Sequence, residues 1–320
     1  MTYQPAALSD DLNTLPKLPS WVTSGRAETF ESVAFRSGAM LTVLDGLVAD
    51  PRHGVPLKLL ANRLALQAAT ATSKLEGRFA QEADIRDAYH LASRGEARGP
   101  DGEILAFWRE ALRLKLTSRD WHAPVQGLVG TAFADDVLRL IAVGAECAKS
   151  HGPLAGCVAV MRAVLAVDDR AERIALLLSD IVVTRALKWT SVLPVTAQHL
   201  TKTMLRDLVA DGQGVDLVVQ QRIFLSIEDT IRLARDLTTR AAALRAVTPK
   251  LRAKGSKAAA DLFLSEDAIG PSMMLSPTIQ GTSIPMTDRA ARRFCDRLVE
   301  LGVARELTGR PTFRLYGIVR

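Results

Sequence analysis

TDRAARRFCDRLVELG, residues 287–302, runs directly into VARELTGRPTFRLYGI, residues 303–318. At about 100° per residue the first stretch is a two-faced helix. Ala290, Ala291, Phe294, Leu298 and Leu301 fall on one face, and Arg289, Arg292, Arg293 and Arg297 on the other. One wall suits a core; the other is a row of guanidinium groups. Such a helix can lie in a groove of duplex DNA and meet phosphates and base edges. Thr287 is placed to cap it, its hydroxyl accepting from an unpaired backbone N–H of the first turn. Gly302 is placed to end it in the left-handed conformation.

The segment that follows alternates. Residues 303–307 have the pattern of a half-buried strand, and 308–311 that of a turn, with Gly309 free to take positive φ and Pro311 fixing its own. Residues 312–318 alternate again, with Phe313 and Leu315 expected on one face and Thr312, Arg314 and Tyr316 on the other. Helix, glycine, strand, basic turn, strand is the order of the second half of a winged-helix domain. Arg310 and Arg314 in the wing would meet the DNA backbone. One departure stands against it: a winged helix needs a short helix before the recognition helix, and 272–286 is broken by Pro277, Gly281 and Pro285. The plain alternative is a solvated arginine face.

Charge supports a partner. The 320 residues carry 41 Lys+Arg and 35 Asp+Glu, a formal net of +6. Residues 249–320 hold 12 basic and 7 acidic residues, so most of the excess sits there. Concentrated positive charge attracts phosphate backbones and releases counterions on binding. An acidic protein surface would be drawn to the same patch. Double-stranded DNA is therefore the first expected partner, and a second copy of the chain, docked through the wing, another.

Composition bounds the rest. Hydrophobic residues make up 48%, enough for a large core, and aromatics only 5%, which disfavours a carbohydrate cleft or a multi-base stacking surface. Cys147, Cys157 and Cys295 are odd in number and widely spaced, which argues against a disulfide framework or zinc site and suits a reducing cytoplasm. The polar, proline-containing N-terminus lacks a secretory h-region. No uncharged apolar run reaches the roughly 18 residues of a membrane span.

Apolar residues at helical spacing predict helices over 31–50, 56–76, 81–93, 101–116, 131–149, 154–167, 168–188, 194–211 and 220–246. The expected fold is mainly α: a flexible arm over 1–30, a helical bundle over 31–247, a basic linker over 248–256, and a small winged-helix domain over 257–320 with a two-stranded β wing.

Catalytic signals are weak. His53, His90, His122, His151 and His199 form no HExxH and no close pair, so no metal site is expected. There is no GxxxxGK[ST], no GxGxxG opening a βαβ unit and no GxSxG, so no ordinary nucleotide cofactor or hydrolase elbow is expected either. Two segments carry more. Residues 71–78 place Glu76 at a helix end, just before Gly77. Residues 162–173 place Asp168 and Asp169 in a tight connection, with Arg170 and Arg173 opening the next helix. The favoured reading is Asp168 as a cap and the arginines as solvated.

Thr72-Ser73-Lys74-Leu75-Glu76-Gly77 resembles the inhibitory helix of Fic-domain AMP-transferases, whose pattern is [ST]xxxE[GN]. In that family the Glu holds an arginine of the motif HPFxxGNGRxxR. Laid on that motif, Arg162 stands at the catalytic His and Asp168 at the Asn. Val167 and Asp169 stand at the glycines, and Arg170 and Arg173 match the arginines. The resemblance thus implies a degenerate Fic-like bundle without its general base. Descent from an inhibitory helix would require Glu76 to contact Arg170 or Arg173. Many Fic proteins also carry a C-terminal winged helix with a strand–TGR–strand wing.

A closer resemblance covers most of the chain. Residues 34–47, 64–87, 175–187 and above all 287–318 are similar to an alphaproteobacterial family, often plasmid-borne, catalogued as domain of unknown function 1403. The resemblance implies a cytoplasmic bacterial protein and no particular activity. Together the residues favour a non-enzymatic DNA-binding or regulatory protein. The alternatives are a degenerate Fic-type protein that keeps nucleotide binding through Arg170 and Arg173, and a protein-interaction or dimerisation module.

Overall fold

The computed structural model describes residues 15–24, 29–92, 95–251, 254–310 and 312–318. Helices dominate it. The order is α1 (Ser20–Thr23), α2 (Phe30–Ala49), α3 (Leu57–Leu75), α4 (Glu82–His90), α5 (Gly99–Ala111), α6 (His122–Val129) and α7 (Val137–His151). Then come α8 (Pro153–Val167), α9 (Glu172–Ala186), α10 (Lys202–Val209), α11 (Val215–Val247), α12 (Ser256–Phe263) and α13 (Asp288–Glu300). A two-stranded antiparallel sheet, β1 (Arg305–Glu306) with β2 (Tyr316–Gly317), follows α13.

Local chemistry sets the helix ends. A capping box starts α2: Thr29 Oγ1 accepts from Ser32 N–H, and Ser32 Oγ accepts from Thr29 N–H. Gly152, at φ +89°, and Pro153 separate α7 from α8. These two helices pack closely because Gly144 and Gly156 face each other; a Cβ on Gly156 would sit 2.5 Å from Gly144 O. The third member of this layer, α9, is almost wholly buried, from Ala175 through Thr184. The longest helix, α11, packs against α2, α8, α10 and α3. By length and composition α2 could cross a membrane, but it buries Val33, Met40, Leu41, Leu44 and Leu47 in the protein core.

Several sequence expectations shift. The helix expected over 194–211 forms only from Lys202; residues 194–201 pass through a bend and a turn instead, with the backbone N–H groups of Val195 and Thr196 donating to buried Asp180. The helix expected from 131 starts at Val137, and α6 lies outside the expected set. Of the arm expected over 1–30, residues 15–24 lie packed rather than loose. Leu15 and Val22 are buried, and Arg36 donates to Val22 O at 2.6 Å. Residues 1–14 and 25–28 of that arm, and Pro311 of the turn, lie outside the described residues. The basic stretch expected as a linker opens with a 3-10 turn, Thr248–Lys250, directly continuing α11.

The C-terminal segment shares a core with the helical body. Phe263 of α12 and Phe294 of α13 bring their rings to 6.2 Å, and Leu275, Ile279, Met286 and Ile318 join the same cluster. Between α12 and α13 the chain makes two antiparallel bridges, Ile269 to Tyr316 and Thr278 to Pro285, and a π-turn, Pro271–Leu275.

Candidate functional site

The basic helix α13 is built as its wheel implies. Thr287 Oγ1 accepts from Ala290 N–H at 3.3 Å, and Gly302 follows the helix with φ +69°. Ala291, Phe294, Cys295 and Leu298 are buried, while Ala290 and Leu301 are half-buried. Arg289, Arg292, Arg293 and Arg297 are all exposed. Two are partly neutralised along the helix: Arg292 pairs with Asp288 at 2.9 Å, and Arg297 with Glu300 at 2.8 Å. Arg289 and Arg293 make no ion pair among the described residues.

The hairpin is shorter than its alternation suggests, with only Arg305 opposite Gly317 and Glu306 opposite Tyr316. Glu306 organises the turn. Its carboxylate accepts from Thr308 N–H at 2.8 Å, Gly309 N–H at 2.9 Å and the Thr308 hydroxyl. Burial opposes its ionisation, but the bonds from Thr308 and Gly309 outweigh that and hold the carboxyl below its ordinary value. Gly309 takes φ +62°, the freedom the turn requires.

Phe313 is a correction. Alternation places it on a common face with Leu315, yet it is 75% exposed at φ +55°, while Leu315 is buried. The pleat reaches back only to Tyr316, so period-two alternation does not govern residue 313. Tyr316, expected on the opposite face, is buried and its hydroxyl donates to Asp296 at 3.1 Å.

The wing is also held from behind. Arg86 of α4 donates to Leu307 O at 3.1 Å, and Arg310 faces Asp87 of α4 at 3.6 Å. Arg314 remains exposed, with its Nε donating to Arg310 O at 3.1 Å. Of the two wing arginines, one is thus drawn toward the helical body.

Beneath the hairpin lies a buried charge cluster that sequence reading missed. Arg109 of α5 contacts both Asp267 and Glu266, the latter at 3.1 Å, and His90 Nε2 lies 3.1 Å from Asp267 Oδ1. Asn62 donates to Ser265 O at 2.6 Å. Burial alone would push the Asp267 carboxyl up, but the charges of Arg109 and His90 hold it well below the usual carboxylate range. No local signal marks this group, because 158 residues separate Arg109 from Asp267 in the chain.

The second constellation comes together only in part. Glu76, at the C-terminal end of α3, receives both Nε and a terminal nitrogen of Arg173, at 2.9 and 2.8 Å. The Arg173 guanidinium also lies over the Phe107 ring, 5.2 Å from its centre. Asp168 accepts from Arg170 N–H at 2.9 Å in the turn ahead of α9, but it does not cap that helix, which starts at Glu172 behind Ala171 without a side-chain cap bond; Arg170 is exposed. Arg162 turns elsewhere and is committed to Asp211 and Asp216. The favoured solvated reading therefore holds for Arg170 and not for Arg173. No cluster of three or more potential metal-ligating side chains occurs among the described residues.

These features define a mainly helical protein whose small C-terminal hairpin is latched onto the helical body. The family model described as "Protein of unknown function (DUF1403)" matches residues 6–318. The chain belongs to that family. None of the curated proteins and none of the solved structures matches it.

Proposed function

We propose that the C-terminal segment is a winged-helix unit that binds duplex DNA, and that the protein acts as a bacterial DNA-binding or regulatory factor. The observation that carries this reading is the pair Arg289 and Arg293. Both are exposed and without ion pairs among the described residues, on a helix whose opposite face is anchored in the core. Element order supports it. A helix (α12), a bridging strand residue (Ile269), a short turn (Pro271–Leu275), a second helix (α13) and a hairpin follow one another, and Ile269 pairs with the last strand. That is the winged-helix order, with the π-turn standing where a short helix is usual. In this reading Arg289 and Arg293 reach the groove, and Arg292 and Arg297 exchange Asp288 and Glu300 for phosphate. Arg314 meets the backbone from the wing, with Arg310 beside it.

The test is fluorescence anisotropy on mixed-sequence duplex across a salt series. With about three phosphates neutralised, the logarithm of affinity should fall against the logarithm of salt with a slope near −3. Arg289→Ala with Arg293→Ala should weaken binding by roughly 1–3 kcal/mol for each hydrogen-bonded base edge given up, and less where an arginine meets phosphate alone. Absence of binding at low salt, or binding indifferent to salt, would sink the proposal.

A further inference from the structure

Among the described residues, Phe313 is the large apolar side chain left most exposed, at 75%. Its backbone is unusual too. At φ +55° it takes the left-handed conformation, which a bulky residue rarely adopts and which is unfavourable unless its surroundings hold it. Extended backbone there would return the ring to the side of buried Leu315. The bond from Arg314 Nε to Arg310 O, at 3.1 Å, closes the chain around residue 313 and holds the turned-out form.

The surroundings are cationic. Residues 307–315 carry Arg310 and Arg314 and no acidic side chain. Glu306, at the root of the hairpin, is turned onto the N–H groups of Thr308 and Gly309. The root also adjoins the arginine face of α13. Arg289, Arg293 and Asp296 lie on one stripe of that helix, at i, i+4 and i+7, and Asp296 accepts from the Tyr316 hydroxyl at 3.1 Å. Arg314 stands beside Tyr316, in the field of Glu306 and Asp296, and these neighbours hold its guanidinium charged. Roughly 10 Å of extended chain separates Tyr316 from Phe313, the rise of about three base pairs. An aromatic ring between two arginines suits the edge of a duplex, where phosphates take the cations and a base step takes the ring.

We propose that Phe313 is a wedge: with α13 on duplex DNA, its ring enters the minor groove, parts one base step and kinks the duplex, while Arg310 and Arg314 hold the flanking phosphates. This rests on the DNA-binding reading and adds a sequence preference to it. Pyrimidine–purine steps such as TA unstack most readily, so duplexes rich in them are favoured over A-tracts without a hydrogen bond to any base.

Anisotropy and end-to-end energy transfer test it, with the full chain and short doubly labelled duplexes of equal composition, one rich in TA steps and one built of A-tracts. The natural chain should bind the TA-rich duplex more tightly and shorten its end-to-end distance. Phe313→Ala should abolish the shortening, erase the preference and lower affinity for that duplex by about ten-fold, as loss of one stacked aromatic does. Phe313→Leu keeps an apolar wedge and should retain the bend. Neither variant should move the thermal midpoint, because the ring lies outside the core. Arg289→Ala with Arg293→Ala separates the two claims. Duplex binding that this double variant weakens, but that Phe313→Ala leaves equally tight and equally bent, overturns the wedge and leaves the helix reading standing. No binding of either duplex by the natural chain overturns both. A free chain that is dimeric until Phe313→Ala, with the bend intact in that variant, assigns the ring to a second copy and overturns the wedge as well.

Discussion

Asp180→Asn should make the protein more stable at pH 8 and flatten its pH dependence. Asp180 lies on α9 with no exposed surface. Its Oδ1 accepts from Val195 N–H at 2.9 Å and Thr196 N–H at 3.1 Å, while Oδ2 has no partner. Burial pushes its pKa from 3.8 up to about 8, against the opposing pull of those two bonds. The folded chain therefore keeps a proton that the unfolded chain gives up near pH 4. The stabilisation is fully present below the unfolded pKa and is lost as pH rises through the folded one. Each unit of that window is worth about 1.4 kcal/mol, so some 6 kcal/mol is the ceiling for the whole loss between pH 4 and 8. The amide keeps the acceptor for Val195 and Thr196 and carries no titrating proton. Urea unfolding at pH 5, 6.5 and 8 compares the two chains, and the difference between them cancels every other titrating group. The variant should gain on the natural chain by about 1.4 kcal/mol per pH unit across this range. A constant difference at all three pH values would refute the reasoning.

Arg109→Met should cost about 3–5 kcal/mol, because it leaves Asp267 charged and buried without its main partner; denaturant unfolding reads it. Glu76→Gln should cost no more than about 1 kcal/mol, since both partners of the ion pair are partly exposed at 20% and 27% of their side-chain surface. A loss above about 3 kcal/mol would mean that solvent screens the pair far less than this. Gly156→Ala should destabilise by roughly 1–3 kcal/mol or more, because the new methyl would meet Gly144 O at 2.5 Å and Ala148 Cβ at 2.7 Å. A fall in thermal midpoint is the expected reading there, and Gly38→Ala, where a Cβ meets nothing within 4 Å, is the control.

What the sequence made legible was what a single element can encode. The α13 wheel and its two caps, the Gly152-Pro153 break and the Gly309 turn are written within a few residues of where they act. What escaped depended on distant partners. Residues 194–201 have helical spacing, but Val195 and Thr196 donate their N–H groups to Asp180 on another helix. Phe313 alternates with Leu315, but the strand is too short to impose the pleat. Glu76 and Arg173 were visible as a candidate pair only through a resemblance, because they stand 97 positions apart in the chain. The Arg109–Asp267 cluster combines residues with no motif in common, so it could not be read without the fold.

The bonds that latch the hairpin also fix an order of events during synthesis. Arg63 donates to Ile318 O at 2.5 Å across 255 residues of chain, and Arg86 reaches Leu307 O across 221. At roughly 5–20 residues per second, α3 to α5 leave the ribosome on the order of ten to fifty seconds before their partners exist. Through that interval Arg109 has no Asp267, and the surface that will carry the hairpin is bare. A nascent chain paused ahead of residue 267 should therefore be more prone to aggregate than the finished one, because the contacts that close this surface come from the last residues made.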